Sequence, residues 1–200
     1  MTFAAIILGY LVGSLSFAVM TAKLFGLPDP RTYGSGNPGA TNVLRSGKKL
    51  AALITLVGDA AKGAAAIGIT HVLLAGSSQL AIGIALTGLA AFLGHLYPVF
   101  FRFKGGKGVA TALGILLAFH WMLGVAVLVI WLAVVGATRY VSLASVVAAV
   151  AAAPVALYLN ASAVMAMAVS VMGLLILWRH GANLRRLRAG TESKVFAKKA

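Results

Sequence analysis

The most polar stretch of the chain, residues 33–45, reads YGSGNPGATNVLR and separates two strongly apolar segments. Its glycines allow backbone N–H groups to approach an anion closely, and its hydroxyl and amide groups are neutral hydrogen-bond donors. Arg45 adds a planar guanidinium that suits a phosphate. Turn formation explains glycine and proline here, but it does not require so many polar side chains. We therefore predict an anion site formed by Ser35, Gly36, Asn37, Thr41, Asn42 and Arg45.

A second glycine-rich segment, residues 103–108, reads FKGGKG. It is not a Walker A loop, because Phe101 and Gly108 stand where that motif needs glycine and a hydroxyl residue. A helix is predicted to begin at 108, so unpaired N–H groups and the helix dipole would face an anion. Lysines that only anchor the chain at the membrane would leave the three glycines unexplained. The predicted site residues here are Lys104, Gly105, Gly106 and Lys107.

A third polar segment, residues 179–192, reads RHGANLRRLRAGTE. A basic tail that binds anionic lipid would explain its arginines. It would not explain His180, Asn183 and Glu192, and the first two are spaced to share one face of a helix. We predict that these three residues belong to the site, and Ser142, which follows Arg139 on the same predicted side, is a further candidate.

The composition indicates an integral membrane protein. Hydrophobic residues make up 61% of the chain and charged residues only 10%, whereas a soluble domain carries about 25% charged residues. The 17 basic residues against three acids would suggest a nucleic-acid partner in a soluble protein. Here they lie in short loops between apolar runs, so membrane orientation and anionic ligands explain them, and no nucleic-acid partner is expected. The absence of cysteine excludes disulfides and a thiol nucleophile.

The apolar runs predict an all-α, polytopic fold with about seven transmembrane helices, one or two of them short, in a single domain over residues 1–200. A span needs about 20 apolar residues. The predicted helices cover 2–22, 50–75, 79–101, 108–119 and 121–138, and 140–178 holds two more with a turn at 158–162.

The distribution of basic residues predicts the orientation. Every lysine and arginine except Lys62 flanks the same set of loops, and the turns near 76–78, 119–121 and 158–162 carry none. The positive-inside rule then places the N-terminus outside, the C-terminus in the cytoplasm and all three polar segments at the cytoplasmic face. Asp59 and Lys62 are three residues apart within a predicted span, and we expect them to neutralise each other as a structural pair.

The chemistry available is anion binding more than nucleophilic attack. Four histidines and three acids are too scattered to predict a metal site. Hydrogen-bond donors and fixed positive charge suit a substrate that is already activated and needs positioning and charge stabilisation. The alternative is a membrane transporter of phosphorylated solutes, which would be expected to carry basic residues within its spans and often inverted repeats. No repeat is visible in the sequence.

The 34–45 segment, residues 94–108, and His180 with Asn183 and Glu192 resemble the three motifs of the bacterial acyl-phosphate:glycerol-3-phosphate acyltransferases, the PlsY family. The resemblance covers nearly the whole chain. It implies transfer of a fatty acyl group from acyl phosphate to the 1-hydroxyl of sn-glycerol 3-phosphate, giving lysophosphatidic acid and phosphate in the first step of bacterial phospholipid synthesis. It also implies no cofactor or metal, a bacterial inner-membrane location, and a functional link to the peripheral enzyme that makes acyl phosphate.

The resemblance also assigns roles. It implies that Ser35, Lys104, His180 and Asn183 are the catalytic residues, that both glycine-rich loops cradle a phosphate, and that Glu192 orients a basic side chain. Direct attack by the glycerol hydroxyl would need no acyl-enzyme. The general base is either His180 or a substrate phosphate, since the unperturbed pKa values of both groups lie near neutral pH.

Overall fold

The long uncharged runs form helices, because in a lipid environment only a helix satisfies the backbone polar groups of a single segment. The computed structural model describes residues 1–195, which contain ten α-helices, one short 3-10 helix and no strand. In chain order these are α1 (Thr2–Gly13), α2 (Phe17–Leu24), α3 (Ala40–Leu44), α4 (Lys49–Leu73), α5 (Leu80–Leu96), the 3-10 helix (Val99–Phe101), α6 (Val109–Phe119), α7 (Trp121–Thr138), α8 (Val141–Tyr158), α9 (Ala163–Arg179) and α10 (Gly181–Arg188).

Four helical segments are each long and apolar enough to cross a membrane: α4, α5 together with the 3-10 helix, α7 and α8. Two bent pairs, α1 with α2 and α9 with α10, raise the number to six if each pair is one span. The short apolar helix α6 comes in addition. The all-helical class is thereby confirmed, while the count of seven and the orientation stay predictions.

The first predicted helix, residues 2–22, is wrong as a continuous element. The chain bends by 40° between α1 and α2. Lys62 donates a hydrogen bond to the carbonyl of Leu15 at 2.6 Å, and the buried hydroxyl of Ser14 accepts one from the backbone N–H of Val99 at 3.4 Å. Groups from distant parts of the chain therefore stabilise this break, which the local sequence does not reveal.

The later boundaries agree closely with the prediction. Helices α6 and α7 meet at His120, and the turn between α8 and α9 lies within 158–162. Two short helices, α3 within the first polar segment and α10 within the third, were not predicted as separate elements. They matter for the site because they carry polar side chains at the ends of the spanning helices.

The helices pack closely because small residues stand at their contacts, as is usual between membrane helices. A Cβ at Gly13 of α1 would clash with the backbone carbonyl of Ala91 in α5, and one at Gly114 of α6 would clash with the carbonyl of Ala60 in α4. Large buried side chains fill the space between them, including Phe92, Ile67, Leu96, Ile115 and Leu123. These contacts hold α4, α5 and α6 in fixed positions relative to one another, and the polar loops connect to the ends of these helices.

We expect Gly13→Ala to destabilise the protein, because its added methyl group meets backbone and not a movable side chain. Such overpacking costs about 1–3 kcal/mol, which thermal unfolding in detergent would detect. The matched control is Gly68→Ala in α4, where a Cβ meets nothing within 4 Å. Its melting temperature should be unchanged or slightly higher, because alanine favours the helix more than glycine does. Equal melting temperatures for the two variants would contradict the proposed close contact of α1 with α5.

Candidate active site

A cavity of about 900 Å³ joins the polar loops to the interior of the helix bundle. At the loop end it is lined by most of the predicted site residues: Ser35, Asn37, Thr41, Asn42, Arg45, Lys107, Ser142, His180, Asn183 and Glu192. Further along the helices it is lined by apolar side chains of α6, α7, α8 and α9, among them Leu116, Leu128, Val169, Met172 and Ile176. A cavity with one polar end and an apolar body suits an amphiphilic ligand.

The cavity also reaches the outer surface of the bundle. Leu56 and Val57 of α4 line it, and they are 47% and 57% exposed. An apolar chain therefore has a route between the surrounding lipid and the polar end that stays along hydrophobic side chains.

The first polar segment is held in shape by Asn42, whose residue is only 1% exposed. Its side-chain amide donates to the carbonyls of Pro30 at 2.7 Å and Tyr33 at 3.1 Å, and its oxygen accepts from the backbone N–H of Ser35 at 3.0 Å. Gly34 has a φ of +59°, and a Cβ there would clash with the Asn42 side chain. Asn42 lines the cavity as predicted, but its hydrogen bonds support the loop that presents Ser35.

The second polar segment is fixed by contacts with α5 and α9. Arg179 donates to the carbonyls of Gly105 and Gly106 at 3.0 Å, and the N–H of Gly106 donates to the carbonyl of His95 at 3.1 Å. Lys107 is thereby placed on the cavity. Lys104 is exposed and does not line the cavity, so the structure separates the two lysines that the sequence treated together.

Gly36, Gly105 and Gly106 do not line the cavity either. Gly36 closes a turn with a φ of +66°, and its N–H donates to the carbonyl of Tyr33 at 2.9 Å. These three glycines shape the two loops whose other members reach the cavity.

The third polar segment connects to the second through a chain of hydrogen bonds. Lys107 donates to the side-chain oxygen of Asn183, whose amide nitrogen donates to Glu192 at 2.6 Å. The other oxygen of Glu192 accepts from Arg186 at 2.7 Å. This fits the predicted role of Glu192 as a group that orients basic side chains.

The residues after α10 fold back over the loop end of the cavity. The N–H of Val195 donates to the carbonyl of Arg139 at 2.9 Å, and Arg45 donates to the hydroxyl of Ser193 at 2.7 Å. Ser193 and Lys194 line the cavity, and the sequence did not single them out. Their place depends on this long-range contact, for which the sequence holds no local signal.

His180 lies between α9 and α10 and is 3% exposed. Its Nδ1 lies 2.8 Å from the carbonyl of Ile176, which can only accept, so this nitrogen carries the proton. In a neutral imidazole the other nitrogen, Nε2, is then an acceptor. Asn183 also lines the cavity, so the pair predicted from its spacing is brought together.

All three carboxylates of the chain are already paired with a cation. Asp29 pairs with Arg31, Asp59 with Lys62, and Glu192 with Arg186, at 2.6, 2.9 and 2.7 Å. The predicted neutralisation of Asp59 by Lys62 is confirmed. Within residues 1–195, Arg45 and Lys107 form no ion pair, so both charges remain for an anionic ligand. No group of three His, Asp or Glu residues in this part of the chain could hold a metal ion.

The charged groups at the loop end shift each other's pKa values. Burial is the largest cause that lowers the pKa of Lys107; the charge of Glu192 opposes it, the charges of Arg186, Arg179 and Arg45 add to it, and the net pKa is about 8. Burial alone would raise the pKa of Glu192, but hydrogen bonds from Asn183 and Arg186 outweigh it, so that pKa is lowered. Glu192 is therefore ionised at neutral pH, and Lys107 loses its charge in a range just above it.

Two further ionisable residues, Asp59 and His95, line the cavity. His95 lies in the second motif, residues 94–108, but neither residue was predicted as a site residue. Nδ1 of His95 lies 3.6 Å from the carboxylate of Asp59. An ionisable residue within a span is a reason to suspect function, and this was the available signal for Asp59. Nothing in the spacing of the two residues indicated that they meet.

The fold and the cavity define a class of membrane protein: several helices are apolar enough to span a membrane, and the cavity between them has a basic, polar end and an apolar body. Residues 3–190 match the family described as "Glycerol-3-phosphate acyltransferase". The chain belongs to this family of integral membrane enzymes, and the resemblance noted in the sequence is confirmed.

The relatives are similar over nearly their whole length. The chain is 53% identical to glycerol-3-phosphate acyltransferase of Dechloromonas aromatica over 195 residues, which cover 98% of this chain and 96% of the relative. It is 55% identical to the enzyme of Ralstonia nicotianae over 190 residues, with 95% and 92% covered.

The fold is similar to that of a crystallised protein, PlsY, described as an integral membrane glycerol 3-phosphate acyltransferase. Its glycerol 3-phosphate form matches with a TM-score of 0.89 and 39% identity, covering 96% of this chain and 94% of PlsY. Its lysophosphatidic acid form matches with a TM-score of 0.87 and 38% identity over the same shares.

We expect acyltransferase activity at low glycerol 3-phosphate concentration to fall as the pH rises through about 8, the pKa of Lys107. The protonated, charged form of a lysine exists below its pKa, so the attraction for a phosphate is lost on the alkaline side. Measured between pH 7 and 9.5, KM for glycerol 3-phosphate should rise about tenfold, and in Lys107→Arg this rise should disappear because guanidinium stays charged. A KM that rises equally in both proteins would remove Lys107 as the cause.

Proposed function

We propose that this enzyme transfers a fatty acyl group from acyl phosphate to the 1-hydroxyl of sn-glycerol 3-phosphate, with lysophosphatidic acid and phosphate as products. The reaction would be the first step of phospholipid synthesis, at the cytoplasmic face of a bacterial inner membrane, with the N-terminus outside. The observation that carries the proposal is a cavity with an apolar body and a polar end, where Arg45 and Lys107 have no carboxylate ion-pair partner among residues 1–195.

The polar end has the groups that a phosphate ester requires. Lys107 and Arg45 supply charge, and Asn183 and Glu192 hold Lys107 in place. Ser35, Asn37 and Thr41 offer neutral hydrogen-bond donors on the opposite loop. Glycerol 3-phosphate would lie between these loops, and the similar PlsY protein, which has a glycerol 3-phosphate form, supports this choice of ligand.

The apolar body suits the acyl chain of the donor. A chain that lies along Leu116, Val169 and Met172 would leave its phosphate at the loop end, close to the acceptor. Acyl phosphate is a mixed anhydride with phosphate as its leaving group, so direct attack by the glycerol hydroxyl needs no enzyme nucleophile. The protein then contributes positioning of the two substrates and stabilisation of negative charge by Lys107 and Arg45.

The proposed mechanism has two candidate acceptors for the proton of the attacking hydroxyl. One is Nε2 of His180, which the hydrogen bond of Nδ1 to Ile176 leaves as an acceptor. The other is a substrate phosphate, whose second pKa is about 6 by analogy with phosphoserine. Every carboxylate is engaged in an ion pair, so none is a free base.

The proposed donor is tested with purified protein, palmitoyl phosphate and radiolabelled glycerol 3-phosphate, without metal or coenzyme A. We expect labelled lysophosphatidic acid from palmitoyl phosphate, and none when palmitoyl-CoA or palmitoyl acyl carrier protein replaces it. Product only from a thioester would overturn the proposed donor. Uptake of glycerol 3-phosphate into liposomes without product would instead favour the transporter.

The same assay distinguishes the two lysines with a matched pair of variants. Lys107→Met should raise KM for glycerol 3-phosphate at least tenfold, and Ser35→Ala should reduce activity strongly. Lys104→Met, which removes an identical charge outside the cavity, should stay within about threefold of the unchanged protein. The opposite order would restore the role that sequence resemblance assigned to Lys104.

The proton acceptor is tested with His180→Gln, which keeps a polar side chain but cannot act as a base. If His180 is the base, kcat should fall by at least a hundredfold, in line with the usual contribution of general-base catalysis. If the substrate phosphate is the base, kcat should fall less than tenfold. The measurement is kcat with both substrates saturating, and the thermal unfolding of the variant serves as the control for folding.

A further inference from the structure

Three ionisable side chains form a buried cluster beneath the loop of residues 104–108. Asp59 and Lys62 of α4 are each 3% exposed, and His95 in the last turn of α5 is 7% exposed. Asp59 lies 2.9 Å from the ammonium of Lys62 and 3.6 Å from Nδ1 of His95. Lys62 also donates to the carbonyl of Leu15 at 2.6 Å. The cluster therefore connects α4, α5 and the break between α1 and α2.

The loop rests directly on this cluster. The backbone of Gly106 lies against the imidazole of His95, because a Cβ at Gly106 would clash with Nε2 and come within 2.9 Å of Cε1. The N–H of Gly106 donates to the backbone carbonyl of the same histidine. On its other side the loop is held by Arg179, which donates to the Gly106 carbonyl at 3.0 Å. Lys107 follows immediately in the chain.

We propose that Asp59 and His95 are positioning residues for acyl transfer: the Asp59–Lys62 pair orients the His95 ring, and this ring supports Gly106 so that Lys107 meets the phosphate of glycerol 3-phosphate. The proposal rests on the proposed function, in which Lys107 binds that phosphate. Neither residue is assigned a proton transfer. His95 sets the position and direction of the loop through contact with its backbone, and Asp59 acts through the orientation of the His95 ring.

The burial of the cluster supports this role. Charges inside a membrane protein are costly unless they are paired, and apolar residues would pack α4 against α5 without that cost. An ion pair adds a fixed direction, because one carboxylate oxygen of Asp59, Oδ1, lies 2.9 Å from the ammonium of Lys62 and 3.6 Å from Nδ1 of His95. The edge of the imidazole that carries Nε2 and Cε1 is then presented to Gly106, which has no side chain in the way of this contact.

The test is a double-mutant cycle between Gly106 and His95. Gly106→Ala should raise KM for glycerol 3-phosphate at least tenfold, because the added methyl group pushes the loop off the His95 ring. His95→Ala should raise the same KM by about tenfold, because the loop loses its support. In the double variant Gly106→Ala/His95→Ala, the added methyl group occupies part of the space that the imidazole leaves. We therefore expect KM to rise by a factor well below the product of the two factors measured for the single variants.

Comparison of the KM values for the two substrates distinguishes a misplaced loop from a general loss of structure. KM for palmitoyl phosphate should stay within about threefold in every variant, because the loop is expected to bind the acceptor phosphate. Thr55→Val is the matched control: Thr55 lies one turn before Asp59, is fully buried and bonds only to the carbonyl of Ala51. It should lower thermal stability slightly and leave both KM values unchanged.

A second variant tests Asp59 without leaving a buried charge unpaired. Asp59→Leu/Lys62→Met removes the ion pair as a whole, and replacement of a buried pair by apolar residues is generally tolerated. We expect a folded protein with a several-fold higher KM for glycerol 3-phosphate. An unchanged KM in this variant would overturn the role of Asp59.

The role of His95 is overturned if the rise of KM in the double variant equals the product of the two single rises. It is also overturned if His95→Ala raises KM for both substrates equally. Failure of the inference is distinguishable from failure of the proposed function. If Lys107→Met leaves KM for glycerol 3-phosphate unchanged, the proposed function of the loop is wrong. If Lys107→Met raises it and His95→Ala does not, only the inference is wrong.

Discussion

The guanidinium of Arg179 and the carbonyls of Gly105 and Gly106 form the contact on which the site depends. A non-helical loop at the end of membrane helices exposes backbone carbonyls, and an unsatisfied buried carbonyl costs several kcal/mol. Arg179 satisfies two of them with one rigid side chain and at the same time attaches α9 to the connection between α5 and α6. Because His180 and Asn183 follow Arg179, this contact also brings the second and third polar segments to one place.

The excess of basic residues is explained by which of them the three carboxylates neutralise. A chain with 17 basic and three acidic residues cannot pair most of its cations. The structure uses its three carboxylates at positions where a loop or a helix has to be fixed, at Arg31, Lys62 and Arg186. Arg45 and Lys107 are left to face the cavity, where their like charges repel each other and a bound anion would relieve that repulsion. An enzyme that acts on phosphate esters at a membrane surface benefits from this arrangement, since the same excess of cations favours its orientation.

The shape of the cavity follows from the way small residues pack the helices. Close approach at Gly13 and Gly114 holds α1 to α5 and α4 to α6, which makes a rigid support for the loops. Helices α7, α8 and α9 instead leave a space lined by aliphatic side chains beside α6. In the proposed reaction, a water-soluble acceptor and a lipid donor would meet at one point, each in its own environment. Such positioning would be the main demand of that reaction, because the proposed donor, acyl phosphate, is already an activated anhydride.

Some features of the protein could be predicted from its sequence because they are local. Composition alone requires a membrane environment, and the uncharged runs define most of the helix ends to within a residue or two. The density of donors in residues 33–45 and the spacing of His180 and Asn183 indicated the polar end of the cavity. The pairing of Asp59 with Lys62 was also predictable, because a separation of three residues puts both on one helix face.

Other features were decided only by tertiary structure. Lys104 and Lys107 look equivalent in the sequence, yet only Lys107 faces the cavity. The direction of each lysine depends on the left-handed backbone at Arg102 and Phe103 and on the contacts of Arg179 with the glycines. The meeting of Asp59 with His95 and the break near Leu15 likewise depend on groups far apart in the chain. A helix repeats its geometry with every turn, so the spacing of residues in the sequence predicts which of them share a face. The direction of a loop depends instead on the distant donors and acceptors that bond to its backbone, and these cannot be read from the local sequence.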